Sequence, residues 1–149
     1  MSDKKTTQLD AVTTLAETDI LPVIAEVSTT PVNKKITVEN VRALLSEVLS
    51  ASIASSATPT PTAGARRNLY FVTALAAAAE FAAPTGTLSN GDSLVIRIKD
   101  NGTRRALTWN AIYRGDMPTD TIDGTLYAGF FYNSTDSKWD CVAVGEITS

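Results

Sequence analysis

Four basic residues, Arg97, Lys99, Arg104 and Arg105, are crowded into one short stretch around an Asn-Gly pair. If the stretch folds back on itself at Asn101-Gly102, Lys99 lies across from Arg104, and like charges placed opposite one another destabilise a sheet. The cluster therefore needs either an acidic partner, such as Asp100, Asp116 or a neighbouring subunit, or an anionic ligand such as a glycan. Asp116, Asp120 and Asp123 offer hard oxygen atoms to a cation, but they lack the remaining ligand spacing of a calcium loop and read as turn-forming aspartates. Arg114-Gly115-Asp116, Asn101-Gly102-Thr103 and Asn133-Ser134-Thr135 match short adhesion and glycosylation patterns, and three-residue matches of this kind are turn chemistry first. Arg104, Arg105, Tyr113, Arg114 and Asp136 are the expected ligand contacts.

Composition closes most catalytic routes. The chain has no histidine and one cysteine, Cys141, so it holds no intrachain disulfide, no Cys/His zinc site and no histidine-based triad. Cys141 reads as a small core residue within a strand. No catalytic residue, cofactor or metal is expected, and the expected protein is not an enzyme. A net charge of −3 and a pI near 4.9 give no basic excess for nucleic acid or an anionic membrane. With no long apolar run and no secretion signal at the start, the reading is a soluble protein made inside the cell.

The elements that must position these residues are β-strands. Residues 94–100 and 103–109 flank Asn101-Gly102, the strongest short hairpin signal, with Ile98 expected opposite Arg105 and Ile96 opposite Leu107. Residues 126–132 and 138–144 form a second expected hairpin around a loop at 133–137, with Phe131 opposite Trp139 and Leu126 opposite Val144. Both of its faces are largely apolar, which calls for a second layer, in a domain this small a neighbouring subunit. Leu126, Phe130, Val142 and Val144 are the expected interface residues there. Tyr113, Tyr127, Tyr132, Trp109 and Trp139 serve either packing or a sugar-stacking surface.

Upstream, residues 19–24 and 34–37 read as short extended pieces, the first held to an edge by Pro22. Thr37 is placed to cap a helix whose seam is Val38, Val41, Leu45 and Val48. That seam packs on the N-terminal strands or, through Val41 and Leu45, forms a small bundle with other copies. Residues 50–65, with Thr58-Pro59-Thr60-Pro61-Thr62 at their centre, read as a flexible linker. A strand opens at residues 68–73, the alanine-rich 74–83 leans to a strand at its end, and turns follow at short spacing, a sandwich or jelly-roll pattern.

Residues 97–110, with Tyr113-Arg114 after them and 127–144 downstream, resemble a β-rich module of tailed-bacteriophage fibre and head-fibre proteins. Asp19-Ile20-Leu21-Pro22-Val23, followed by Lys34-Lys35-Ile36-Thr37-Val38 and a short helix, resembles the virion-attaching start of phage tail proteins. The resemblance implies a homotrimeric virion appendage with three parts. Residues 1–49 anchor it to a capsid or tail protein, 50–65 are its stalk, and 66–149 form a mainly β, antiparallel sandwich or jelly-roll head open to a glycan. The short chain favours a head fibre or capsid decoration. A short tail fibre or tail adaptor, and a stand-alone carbohydrate-binding module, are the alternatives.

Overall fold

The structure, a computed structural model, describes residues 20–25, 32–45 and 47–148. The chain divides into two compact units, Met1–Leu45 and Ser46–Ser149. Asp19, where the first extended piece is expected to begin, lies outside the described residues.

In the first unit β1 (Ile20–Ala25) and β2 (Val32–Thr37) pair antiparallel, with Ile20 opposite Thr37 and Pro22 opposite Lys35. A two-stranded sheet has only edges, so Pro22 costs it no interior ladder bond. The helix α1 (Val38–Leu45) follows directly. Thr37 caps it as expected: its Oγ1 accepts a hydrogen bond from the Asn40 amide at 3.2 Å. Val41 is half-buried and Leu45 is 75% exposed. The seam does not reach Val48, which belongs to the next strand.

The second unit holds β3 (Val48–Ile53), β4 (Arg67–Leu75), β5 (Ala79–Phe81), β6 (Ser93–Asp100), β7 (Leu107–Trp109), β8 (Tyr113–Arg114), β9 (Gly124–Asn133) and β10 (Lys138–Thr148). The expectation of a mainly β chain is met. The main sheet runs β3-β4-β6-β9-β10-β8, and it is mixed rather than antiparallel. β3, β4 and β6 are mutually parallel, and β9 is antiparallel to both β6 and β10. Facing it is a short layer in which β5 pairs with β7. Residues 57–61 flank β5, and residues 119–121 flank the start of β7. One core lies between the layers, from Tyr70, Val72, Leu94, Ile96, Ile98, Leu126, Phe130 and Trp139 on one side to Ala63, Ala79, Phe81 and Leu107 on the other. The strand expected at the end of the alanine run, over 80–83, is β5 at Ala79–Phe81.

The linker expectation is corrected. Residues 48–53 are a strand hydrogen-bonded to β4, and the unit boundary falls at residue 45, before it. The Thr/Pro run is an extended strand in all but its donors. The carbonyls of Ala57, Pro59 and Pro61 accept from the amides of Glu80, Ala82 and Thr85 at 2.9 Å each. Thr58, Thr60 and Thr62 face outward, while Pro59, Pro61 and Ala63 are buried, a two-residue period in which the prolines give the ladder their carbonyls but no donor, a loss tolerated at an edge. Asn68, 1% exposed, ties the end of the run down. Its Oδ1 accepts from the Gly64 and Ala65 amides, and its Nδ2 donates to the carbonyls of Ala65 and Ser93.

The first hairpin is also corrected. β6 is an interior strand paired with β4 and β9, and residues 103–106 turn away to the other layer instead of returning alongside it. Only Gly102 has a positive φ, 88°, whereas a type I′ turn needs two. Leu94, Ile96 and Ile98 are 0–1% exposed on the covered face, and β6 is paired on both edges.

The second hairpin forms, shifted by one residue. Lys138 pairs with Asn133 and Trp139 with Tyr132, and a bulge between Cys141 and Ala143 adjusts the register beyond it. The bulge leaves Val142 unpaired. Leu126 and Phe130, expected at a subunit interface, are 0% and 1% exposed inside their own chain's core, so the short layer covers the face assigned to a partner.

Candidate functional site

The polar group with the greatest reach is built at the end of the sandwich where β6 stops and β9 starts. Asp100 closes β6 and is only 9% exposed. Its Oδ1 accepts from the Gly102 amide at 2.9 Å, an Asx turn that sends the chain off the sheet. Its Oδ2 accepts the hydroxyl proton of Thr121. Thr121, 1% exposed, is the hub: its Oγ1 also accepts from the Arg105 amide at 2.8 Å, its amide donates to the Arg105 carbonyl, and its carbonyl accepts from Arg104 Nε at 2.9 Å. One threonine thus fixes both arginines to β6 and to the loop that leads into β9.

Asp100, Gly102, Arg104, Ile122 and Asp123 line a cleft of about 450 Å3 at this end. Arg104 spends only its Nε on the framework. Among the described residues its two terminal nitrogens and the Asp123 carboxylate have no hydrogen-bond or ion-pair partner. A guanidinium face, an acceptor carboxylate and the half-buried Ile122 thus border one opening. A guanidinium and a carboxylate on one cleft suit adjacent hydroxyls, which accept from the first and donate to the second. The arginine opposes binding of a cation, and among the described residues no group of three or more acidic or thiol ligands comes together.

The five expected ligand contacts do not form one site. Arg104 is on the cleft. Arg105 is half-buried behind it, with one terminal nitrogen donating to Asn101 at 3.2 Å. Tyr113 is 3% exposed, stacks edge-on against Trp109, and donates its hydroxyl to the Ala82 carbonyl at 3.0 Å. Burial, and secondarily the neighbouring Tyr70, push its pKa far above the usual phenol value, so it stays a neutral core residue. Arg114 and Asp136 lie at the far end of β9, by the β9–β10 turn, and are bonded to each other at 2.7 Å. Arg114 Nε meets Asp140 at 2.5 Å, and hydrogen bonds from Arg114 hold the Asp140 carboxyl below the usual carboxylate range.

The aromatic residues are mostly core. Phe81 and Trp109 stack at 4.5 Å, and Trp109 Nε1 donates to the Pro118 carbonyl at 2.8 Å. Trp139 is fully buried and packs on Tyr132 at 5.3 Å. Phe131 is 49% exposed on the other face of the sheet. Cys141 is half-buried, and burial raises its thiol pKa above the ordinary value, which leaves it a poor nucleophile.

Sequence alone points to none of Asp100, Thr121 and Ile122 as ligand contacts and gives Asp123 as a turn residue only. One signal was present: Asp100-Asn101-Gly102 is also an Asx-turn sequence, and reading it that way frees residues 103–106 from the hairpin. No family model, curated protein or solved structure matches the chain.

Proposed function

We propose that this chain is a non-catalytic structural subunit of a tailed-bacteriophage virion, a head fibre or capsid decoration. In this reading it is made in the host cytoplasm, anchored to a capsid or tail protein by its N-terminal unit, and trimeric through its β unit. The cleft at Arg104 and Asp123 is then its outward contact, taking a neutral glycan through adjacent hydroxyls. The observation that carries the reading is the division of the chain into a small first unit and a larger β unit with an open polar cleft of its own. Loops at one end of a rigid sandwich are where binding residues collect. The anchor ends at residue 45 rather than 49, because residues 48–53 belong to the sheet.

The test has two arms. Particles assembled with a chain lacking residues 1–45 should lack the protein by mass spectrometry while the truncated chain stays folded; normal incorporation rejects the anchor. The full chain screened on a glycan array should lose its signal in Arg104→Ala and Asp123→Ala. The cleft equally favours a carbohydrate-binding module that works alone, and that reading wins if glycan binding persists in a monomeric chain that is absent from particles.

A further inference from the structure

Among the described residues no strand pairs with the outer side of β3 or with β10 beyond β8, and the exposed large apolar residues of the β unit gather near these two edges. Val48 (44% exposed) is on β3, while Val142 (58%), Val144 (43%) and Ile147 (61%) are on β10, with Phe131 (49%) on the adjoining strand. Natural edge strands are protected by lysine, proline or inward-pointing charge. β3 reads Val-Leu-Ser-Ala-Ser-Ile with no such guard, and β10 beyond its bulge carries one charge, Glu146.

The β10 edge is already begun. β8 pairs with it in parallel at Trp139 and Asp140 and then stops. Gly115, at φ 112°, turns the chain away there, close against Cys141. From that point the lane beside β10 is empty among the described residues and opens on a shallow hollow of about 190 Å3 lined by Asp116, Cys141, Val142, Ala143 and Val144. Past the bulge, Ala143–Thr148 is a regular ladder on its β9 side with its outer edge unpaired, and it is as long as β3.

Direction decides what can fill the lane. β3, β4 and β6 are parallel, and β9 is antiparallel both to β6 and to β10, so β10 runs the same way as β3. A second copy in the same orientation therefore presents β3 to this edge with the polarity β8 has just set. We infer that copies of this chain join by strand addition, β3 of one copy taking the open lane along residues 143–148 of the next. Each copy then offers one edge and receives at the other, a head-to-tail contact that closes as a ring when the rotation between copies does. The inference rests on the trimeric reading above for the number of copies only; the pairing follows from the edges.

The test uses the full chain with exposed edge positions changed. Val144→Lys/Ile147→Lys blocks β10 and Ser50→Lys/Ser52→Lys blocks β3, with circular dichroism to check the fold. By mass photometry the unmodified chain should be trimeric, each blocked variant monomeric, and an equal mixture of the two should stop at a dimer through the one remaining good pair. Independently of any variant, amide hydrogen exchange in residues 48–53 and 143–148 should slow as the unmodified chain is concentrated. A folded blocked variant that keeps the trimer overturns the edge pairing while leaving the trimer in place. Self-association of the β3-blocked chain alone shows β10 pairing with itself, which also overturns it, and a monomeric unmodified chain removes both the pairing and the trimer.

Discussion

The two ends of β9 treat charge in opposite ways. At the β9–β10 turn, Arg114 is enclosed by Asp136 and Asp140, with Asn133 Nδ2 reaching both carboxylates at 3.2 and 3.3 Å. Both carboxylates there are answered by the one guanidinium. At the other end Thr121 fixes the backbone of Arg105 and the Nε of Arg104, while Arg104 and Asp123 line a cleft with no ion-pair partner among the described residues. The same residue types build a closed ion-pair cluster in one place and a receptive cleft in the other. The difference lies in whether the backbone or the side-chain charges are being satisfied.

The cleft end depends on backbone geometry most. Gly124 sits at φ 145°, where an added Cβ would lie 2.1 Å from the Ile147 carbonyl oxygen. Gly124→Ala should therefore cost on the order of 3 kcal/mol or more and loosen the start of β9, read as a lowered thermal midpoint. Gly102→Ala, at φ 88° but in open space, should cost only about 1–2 kcal/mol by the same measurement. Equal losses would show that contact is not what separates the two positions.

Thr121→Val comes next. It keeps the shape and removes the hydroxyl, leaving the Asp100 carboxylate and the Arg105 amide each without that partner. Chemical denaturation should report a loss of about 2 kcal/mol. Arg104→Ala sacrifices one hydrogen bond to a carbonyl and should cost about 1 kcal/mol or less, while removing the donor face of the cleft.

The smallest effect belongs to the closed end. Arg114→Gln removes the group that depresses the Asp140 carboxyl, so its titration by NMR should move up toward the ordinary value of 3.8. The sign follows from linkage. A carboxylate held below its unfolded value contributes stability above that value and loses it as the pH falls through the folded one. The variant should thus match the parent chain in the acid limit and differ from it only above the carboxylate range. At this exposed site the thermal midpoint at neutral pH should scarcely move.

Much of the fold was legible where the signal was local. Thr37 as a helix cap, the pair β9 and β10, and the strand ending the alanine run all follow from side-chain type and period. What was misread depended on partners distant in sequence. Asn101-Gly102 permits a hairpin but does not require one, and the burial of β6 between β4 and β9 outweighs it. Pro59 and Pro61 look like linker residues because proline lacks a donor, yet their carbonyls are enough for the outer strand of the short layer. The cleft was half-visible through Arg104. Asp100 and Thr121 meet across 21 residues of chain, and no local pattern announces that contact.

The parallel arrangement of β3, β4 and β6 bears on the order in which the chain can fold as it is synthesised. Val48 to Ile53 emerge early, but their partner β4 has no second neighbour until residues 93–100 appear. The core face then still lacks Leu126, Ala128, Phe130 and Trp139. Contacts this far apart in the chain are slow to form. Until β9 and β10 leave the ribosome the earlier strands have nothing complete to fold onto, so the β unit should assemble in one late step, with its unguarded edges exposed to other chains throughout the wait.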